Sequence, residues 1–186
     1  EYDPKLEAGE LNAGDETDHV VNVAGRVVFV RNTGKLCFAS LQAGTNGDRI
    51  QAMLSLNEVG EQSLADWKSL VDLGDHVYVT GRVVVSRRGE LSIMVREWRM
   101  AAKSIRPMPV LHKDLNEETR VRRRYLDLMV RPEARDLVKK RALITRTVRR
   151  VLEDHGYIEL ETPVLQLVHG GATARPFRTH LNAFDP

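Results

Sequence analysis

Apolar and polar side chains alternate with a period of two through the first half of the chain, and one stretch of helical spacing interrupts them. The predicted elements are strands over residues 21–29, 36–41 and 50–56, a helix over residues 59–73, and strands over residues 77–85 and 91–95. A tight turn at Arg87-Arg88-Gly89 would join the last two strands as a hairpin. This order of three strands, one helix and two strands constrains the fold more than any other feature of the chain.

Such an order within residues 20–103 predicts a mainly β OB-fold, a five-stranded Greek-key barrel with one short helix that holds oligonucleotides on its face and loops. Gly25 and Gly81 occur in matching Gly-Arg-Val-Val stretches, where each is expected to mark a bend of a small barrel. The alternation predicts Val27 and Phe29 on the same, half-buried side of the first strand. An SH3-like or sandwich fold is the alternative, because strand number alone does not separate these folds.

The second half of the chain is predicted to be helical. Asn116 is a candidate N-cap for a helix over residues 115–130, and Pro132 suits the first turn of a longer helix that ends at Asp154. The apolar stripe of the longer helix consists of Leu137, Ile144, Val148 and Val151. Gly156 would then end this helix, and a short strand is predicted over residues 157–161.

These patterns divide the chain into four segments. The division is a flexible acidic leader at 1–19, the barrel at 20–103, a linker and connecting helix at 104–131, and a truncated domain start at 132–186.

Charge is distributed unevenly along a chain whose net charge is only +2. Residues 1–19 carry one Lys against seven acidic residues, whereas residues 117–150 carry twelve Lys and Arg against five acidic residues. A locally basic surface on a near-neutral chain suits a polyanion such as nucleic acid. A solvated helix face is the alternative interpretation of the same residues.

Composition excludes several kinds of site. The lone cysteine, Cys37, excludes an intrachain disulfide and a Cys-rich zinc site. No apolar run approaches the length of a membrane span, and no signal peptide is visible. The histidines have no ligand spacing, so we assign none of them to a metal.

Three residues of the predicted barrel are candidates for holding a base. Phe38 offers a ring for stacking, Arg31 a positive charge, and Gln51 an amide that both donates and accepts hydrogen bonds. A core aromatic is the alternative for Phe38. Arg26 and Arg82 are expected either to contact phosphate or to be solvated strand residues.

Two stretches near the end of the sequence, Gly156–Leu165 and Gly170–Phe177, resemble motif 1 of class II aminoacyl-tRNA synthetases and the segment that follows it in lysyl enzymes. Arg122–Leu128 resembles the Arg-Tyr-Leu-Asp-Leu signature of class IIb enzymes, whose role we expect to be docking through Tyr125, Leu126 and Leu128. The resemblance covers about residues 20–186, and it implies that an α/β catalytic domain begins within residues 132–186.

The resemblance also implies roles for single residues of the barrel. Arg31, Phe38 and Gln51 match the positions with which class IIb enzymes read the central anticodon uridine. Glu90 matches a position that lysyl enzymes use near the wobble base, although a simple charge at the hairpin exit is the alternative.

For the second half, the resemblance implies contact of Gly171 and Ala172 with substrate lysine. It also implies that Pro163 orders the active-site edge at a dimer interface.

Motifs 2 and 3 of the family are not found in this sequence, so we assign no catalytic residue to it. The chain begins at Glu1 without an initiator Met, and we expect a fragment that is inactive by itself and binds no cofactor. The parent enzyme would be a cytoplasmic homodimer that uses ATP and Mg²⁺ to attach lysine to lysine tRNA. One alternative is a fusion with a membrane-embedded domain that passes lysine to phosphatidylglycerol at the cytoplasmic face of the membrane. A further alternative is a non-catalytic module that binds tRNA or single strands.

Overall fold

The structure is a computed structural model that describes residues 9–44, 46–109, 113, 115–166, 168, 170, 175–180 and 182–184. Its elements are β1 Glu16–Thr33, β2 Leu36–Ala43, β3 Asp48–Ser55, α1 Leu56–Val59, α2 Glu61–Leu70, β4 His76–Val85, β5 Leu91–Ala102, α3 Glu117–Arg122, α4 Arg124–Val130, α5 Pro132–Asp154 and a 3-10 turn at Asn182–Phe184. The chain forms two compact units, Glu1–Lys140 and Arg141–Pro186.

The five strands close into a barrel in the order β1-β2-β3-β5-β4, with β1 also paired to β4. Every pairing is antiparallel except that of β3 with β5, which is parallel over three register pairs. These pairs are Gln51 with Ser92, Ala52 with Ile93, and Met53 with Met94. The predicted five-stranded barrel with a helix between its third and fourth strands is confirmed.

The barrel core is built from the inward half of each alternating strand and is covered by α2. Its buried members are Val27, Cys37, Ala39, Leu41, Ala52, Leu54, Leu64, Trp67, Val71, Val77, Val79, Ile93 and Val95. Trp67 of α2 is fully buried, and the Trp98 ring meets it edge-on with centroids 5.1 Å apart. The Trp98 indole N–H donates to the Ser63 carbonyl at 3.2 Å and contacts the Ser63 hydroxyl at 3.0 Å, which fixes the helix on the strand.

The two mid-strand glycines allow close approach of neighbouring strands. A Cβ on Gly81 would lie 2.1 Å from the Met94 carbonyl oxygen, a distance that no side chain tolerates. The β4–β5 register shifts between Thr80 and Gly81, which agrees with the bend expected at this glycine. At Gly25 a Cβ would lie 3.0 Å from the Leu41 Cβ, so there the reason for glycine is tight packing.

A bulge in β1 overturns one expectation from the alternation. Val27 pairs with Leu41 and Phe29 pairs with Ser40, so Val28 is an extra residue between two consecutive pairs. A bulge of this kind reverses which side chains face inward beyond it. Val27 and Val28 are therefore both buried, whereas Phe29 is turned outward and 54% exposed.

Asp75 connects the turn before β4 with the end of β5. Its fully buried carboxylate accepts hydrogen bonds from the Asp72 and Ser104 backbone N–H groups at 2.8 and 2.7 Å and from Lys103 Nζ at 2.7 Å. Burial alone would raise the pKa of Asp75, but these hydrogen bonds and the Lys103 charge outweigh it and hold the pKa below its usual value. The Asp75 carbonyl also accepts from Val27 N–H at 2.8 Å.

The barrel begins at Glu16, whereas the sequence pattern predicted that it begins at residue 20. β1 starts at Glu16, and the Gly14 N–H donates to the Val85 carbonyl at 3.1 Å while the Val85 N–H donates to the Asp15 carbonyl at 2.8 Å. The last part of the predicted leader is thus backbone-paired with β4. Residues 1–8 lie outside the described residues.

The single helix predicted over residues 115–130 is two helices, because Arg123 has φ −120° and ψ 57°. The Asn116 cap is confirmed, since its side chain accepts from the Thr119 N–H at 2.7 Å. Of the three residues expected to dock this segment, Leu126 and Leu128 are half-buried, whereas docking through Tyr125 is wrong, because Tyr125 is 57% exposed. The fully buried residue is Asp127, which pairs with Arg131 at 2.9 Å, so charge pairing fixes this turn.

The longest helix, α5, has the predicted bounds, and Gly156 with φ +83° follows it. The strand predicted over residues 157–161 is wrong, since no ladder pairing includes those residues within the described chain. A strand needs a partner for its backbone N–H and C=O groups. The Glu159 side chain forms an ion pair with Arg149 at 3.0 Å. None of the described helices is both long and apolar enough to cross a membrane.

Candidate nucleic-acid interface

The outer face of the barrel carries two cross-strand rows of side chains over β1, β2, β3 and β5. The first row consists of Phe29, Ser40, Gln51 and Ser92. The second row consists of Arg31, Phe38, Met53 and Met94. Most of these side chains line one cleft of about 850 Å³. The strand register therefore brings together Arg31, Phe38 and Gln51, the three candidates from the sequence.

Phe38 lies on the outer face of β2 and not in the core. Its neighbours Cys37 and Ala39 are the buried residues, and alternation turns the half-buried Phe38 ring to the opposite side. The Arg31 guanidinium lies over this ring, with its carbon 4.6 Å from the ring centroid. A ring and a cation held together can serve both the face of a base and a nearby phosphate.

The Gln51 amide is held in one orientation by two neighbours. Its Nε2 donates to Glu90 Oε2 at 2.5 Å, and its Oε1 accepts from the Ser92 hydroxyl at 3.0 Å. The Ser92 hydroxyl also lies 2.9 Å from the Glu90 carbonyl oxygen, so its single proton is shared between two acceptors. Since an amide has two N–H donors and two oxygen lone pairs, one donor and one acceptor remain for a ligand.

A fixed amide can distinguish uracil from cytosine. Uracil presents a carbonyl acceptor next to the N3–H donor, which matches one N–H and one oxygen of Gln51. Cytosine presents an amino donor next to the N3 acceptor, so the same position would require the amide to be turned over. Turning it would break the contacts with both Glu90 and Ser92. The pair that orients Gln51 thus makes the free edge of this amide complementary to uracil and not to cytosine.

Glu90 occupies the exit of the β4–β5 hairpin. Its backbone N–H donates to the Ser86 hydroxyl at 3.1 Å, and its carbonyl accepts from the Ser86 N–H at 2.8 Å. These contacts hold the Glu90 backbone at the hairpin exit, and the exposed carboxylate accepts from Gln51. Arg87 and Arg88, at the tip of the same hairpin, are exposed and line the cleft.

The two arginines that follow the mid-strand glycines support the barrel. Arg26 Nη1 donates to the Gly74 carbonyl at 2.9 Å. Arg82 pairs with Glu16 and with Glu58, each at 2.8 Å. Both side chains are engaged within the protein, and the cleft is lined by other residues.

Ser92, which contacts the Gln51 amide, and Phe29, which lines the cleft, are candidate site residues that the sequence reasoning missed. A small polar residue at the start of a predicted strand, two positions after Glu90, was the only signal for Ser92. Phe29 followed the alternation of β1 and was therefore expected on the half-buried side.

Comparison with known proteins assigns both parts of the chain. Residues 21–101 match the family described as OB-fold nucleic acid binding domain. Residues 116–185 match the tRNA synthetases class II (D, K and N). A lysine–tRNA ligase of Kineococcus radiotolerans is 61% identical over 175 residues, which are 94% of this chain and 35% of that ligase. The chain belongs to the class II tRNA synthetase family.

Two further relatives differ in what they are named for. A lysine–tRNA ligase of Mycobacterium tuberculosis is 57% identical over 95% of this chain and 35% of the ligase. The lysylphosphatidylglycerol biosynthesis bifunctional protein LysX of Mycobacterium avium is 43% identical over 96% of this chain and 15% of that protein. The chain thus spans 35% of the length of the curated lysine–tRNA ligases that it matches.

The candidate residues of the second half are described separately from the cleft. Pro163 lies in an exposed, irregular segment of the second unit. Gly171 and Ala172 lie outside the described residues. Within the described part of the chain, no group of three or more His, Cys, Asp or Glu could hold a metal ion.

Proposed function

We propose that this chain reads the anticodon of lysine tRNA for a lysyl-tRNA synthetase. The observation that carries the proposal is the Gln51 amide, oriented by Ser92 and Glu90 on the same barrel face as the Phe38 ring. Relatives that are 61% and 57% identical to the chain are lysine–tRNA ligases, which supports lysine tRNA as the partner.

In this proposal the central anticodon uridine stacks on Phe38. The remaining N–H and lone pair of Gln51 pair with the uracil edge. Arg31, which lies over the Phe38 ring, shifts toward a phosphate of the bound strand, since a base and the guanidinium compete for the same ring. Glu90 keeps the amide oriented and adds a negative charge near the neighbouring base, the wobble position.

The whole synthetase would activate lysine with ATP and Mg²⁺ in the cytoplasm and act as a homodimer, with Gly171, Ala172 and Pro163 in the roles given by the family resemblance. The described residues include no group of three or more His, Cys, Asp or Glu that could hold a metal ion. We expect the chain alone to be inactive in lysine-dependent ATP–pyrophosphate exchange.

A second candidate is the synthetase part of a bifunctional protein that transfers lysine to phosphatidylglycerol at the membrane. The match to LysX over 96% of the chain favours it, but the identity of 43% is lower than the 61% shared with a lysine–tRNA ligase. The sequence of the complete protein decides between them. Transmembrane segments in the same polypeptide would support the fusion, and their absence would exclude it.

The test of anticodon reading is binding of the 186-residue chain to labelled RNA stem-loops by fluorescence anisotropy. Position 35 is the central base of the anticodon. We expect the lysine anticodon loop with uridine there (U35) to bind about tenfold more tightly than the same loop with cytidine (C35), because an oriented pair of hydrogen bonds is worth about 1–3 kcal/mol of discrimination. Phe38→Ala should weaken binding of the U35 loop by about 1–3 kcal/mol, the value of one base stack.

Phe177→Ala is the matched control, since Phe177 is fully exposed and lies in the second unit. It should leave the affinity unchanged. If the U35 loop, the C35 loop and an unrelated single strand all bind with equal affinity, anticodon reading is refuted and the chain is a general single-strand binder.

A further inference from the structure

Phe29 is an aromatic side chain that a bulge in β1 turns outward. Simple alternation would have buried Phe29 beside Val27. The extra residue Val28 changes the side of the sheet to which the following side chains point, and Phe29 is 54% exposed. A bulge also interrupts the hydrogen-bond ladder, and such features commonly redirect a side chain at a binding site. Single exposed apolar residues are ordinary on protein surfaces, so the position of Phe29 has to decide its meaning.

Phe29 belongs to the same cleft as the Phe38 ring. It pairs with Ser40, while Phe38 pairs with Arg31, so the two rings lie on adjacent strands and are diagonal to each other on one face. Diagonal neighbours of this kind have a separation of about 7–8 Å. Surfaces that bind single strands place successive bases on separate aromatic side chains, and this spacing suits two consecutive bases of an opened strand.

The charges of the cleft favour the same ligand. Arg31 follows Phe29 by two residues on the same face, and Arg87 and Arg88 are exposed at the hairpin tip. No ion pair of Arg87 or Arg88 is found among the described residues. Three arginines thus line the cleft that contains the two rings, and they supply the positive charge that an RNA backbone requires.

We propose that Phe29 is a second stacking platform, which takes a base adjacent to the one held by Phe38 and Gln51. The ligand is single-stranded RNA, and two consecutive bases lie on two rings. This inference rests on the proposed anticodon reading, which supplies the first of the two bases.

The experiment places 2-aminopurine, whose fluorescence falls on stacking, on either side of the central base of the U35 stem-loop. Binding of the 186-residue chain should quench one of the two flanking positions. Phe29→Leu should remove that quenching and weaken affinity about tenfold. Phe29→Tyr, which keeps the ring, should restore both. Phe38→Leu should change the signal of a probe at the central position instead.

The outcomes separate the two proposals. If Phe38→Leu weakens binding and Phe29→Leu leaves affinity and both flanking signals unchanged, the second platform is refuted and anticodon reading stands. If Phe29→Leu weakens binding equally when each flanking base is abasic, Phe29 does not stack on either base, and the inference also fails. Thermal unfolding of each variant verifies that the exposed substitution leaves the fold intact.

Discussion

Leu54 on β3 is fully buried, whereas Leu143 on α5 is 53% exposed, although each is an apolar residue of a regular element. The same contrast extends to whole elements. The barrel strands bury their inward residues almost completely, while Ala134 is the buried residue of α5. Its large apolar residues, among them Ile144 and Val148, remain 45–64% exposed within this chain.

The contrast shows what each kind of element needs in order to be complete. A closed barrel surrounds its own core, because every strand has a neighbour on both sides. An amphipathic helix satisfies its backbone by itself, but its apolar stripe is buried only against a second surface. The cleft that Arg31, Phe38 and Gln51 line belongs to the first kind, so its geometry depends on residues of the barrel.

The largest effect is expected from the pair Leu54→Ala and Leu143→Ala. The first should reduce the free energy of unfolding by about 2–5 kcal/mol, because it leaves a cavity in the core. The second should change it by less than about 0.5 kcal/mol. Urea unfolding followed by tryptophan fluorescence measures both, since Trp67 and Trp98 belong to the barrel. Equal losses would mean that α5 contributes to the same folding unit.

The next effect concerns a buried and an exposed carboxylate. Asp75→Asn removes charge-assisted hydrogen bonds that are worth about 1.5–3 kcal/mol when intact. Glu159→Gln breaks an exposed pair with Arg149, which should cost at most about 1 kcal/mol. Chemical denaturation at neutral pH compares the two.

The pH dependence tests the same carboxylate. The pKa of folded Asp75 lies below its usual value, so its ionised form stabilises the fold above the unfolded pKa. This contribution is lost as pH falls through the folded pKa, in the region below about pH 4. Wild type should therefore lose stability more steeply than Asp75→Asn in that range. Identical slopes would contradict the assignment.

A smaller effect is expected for binding after Arg31→Gln, compared with Arg149→Gln on α5. Arg31→Gln should weaken the affinity for the U35 loop about tenfold, which corresponds to the loss of one charged hydrogen bond. It should also reduce the slope of log affinity against log salt by about 0.7, since one phosphate contact is lost. Arg149→Gln should change neither quantity. An equal loss for Arg149→Gln would assign RNA binding to the basic helix as well.

The smallest effect is expected for Ser92→Ala, with Ser40→Ala as its control in the same row of side chains. Without the Ser92 hydroxyl, Glu90 alone holds the orientation of the Gln51 amide, so preference for U35 over C35 should fall about fivefold, the value of one hydrogen bond of about 1 kcal/mol. Ser40→Ala should preserve the preference. Competition binding of the two loops gives the ratio, and an unchanged ratio would contradict the role of Ser92.

Much of the barrel could be predicted from the sequence because its signals are local. Alternation, the helical interruption and the hairpin turn all depend on neighbouring residues, and β5 differs from its prediction mainly in extending to Ala102. Arg31, Phe38 and Gln51 were candidates from residue chemistry, and the register brings them into one cleft.

The features that were missed depend on contacts between distant residues. The bulge at Val28 arises where β1 changes its partner from β4 to β2, and periodicity along one strand does not contain that information. Similarly, Ser92 becomes part of the site only through β3, and Asp127 is buried by arginines before and after it. The strand predicted over residues 157–161 had the right composition but no neighbouring strand among the described residues.

The short parallel pairing of β3 with β5 has a consequence for folding. Gln51 and Ser92 are 41 residues apart in the chain, and they meet at one of only three register pairs that close the barrel. Contacts between residues so far apart form late, because the entropy of closing a long loop has to be offset first. A chain in which β3 and β5 have not yet paired lacks the contact between Gln51 and Ser92, so the orientation of this amide depends on a contact between distant parts of the chain.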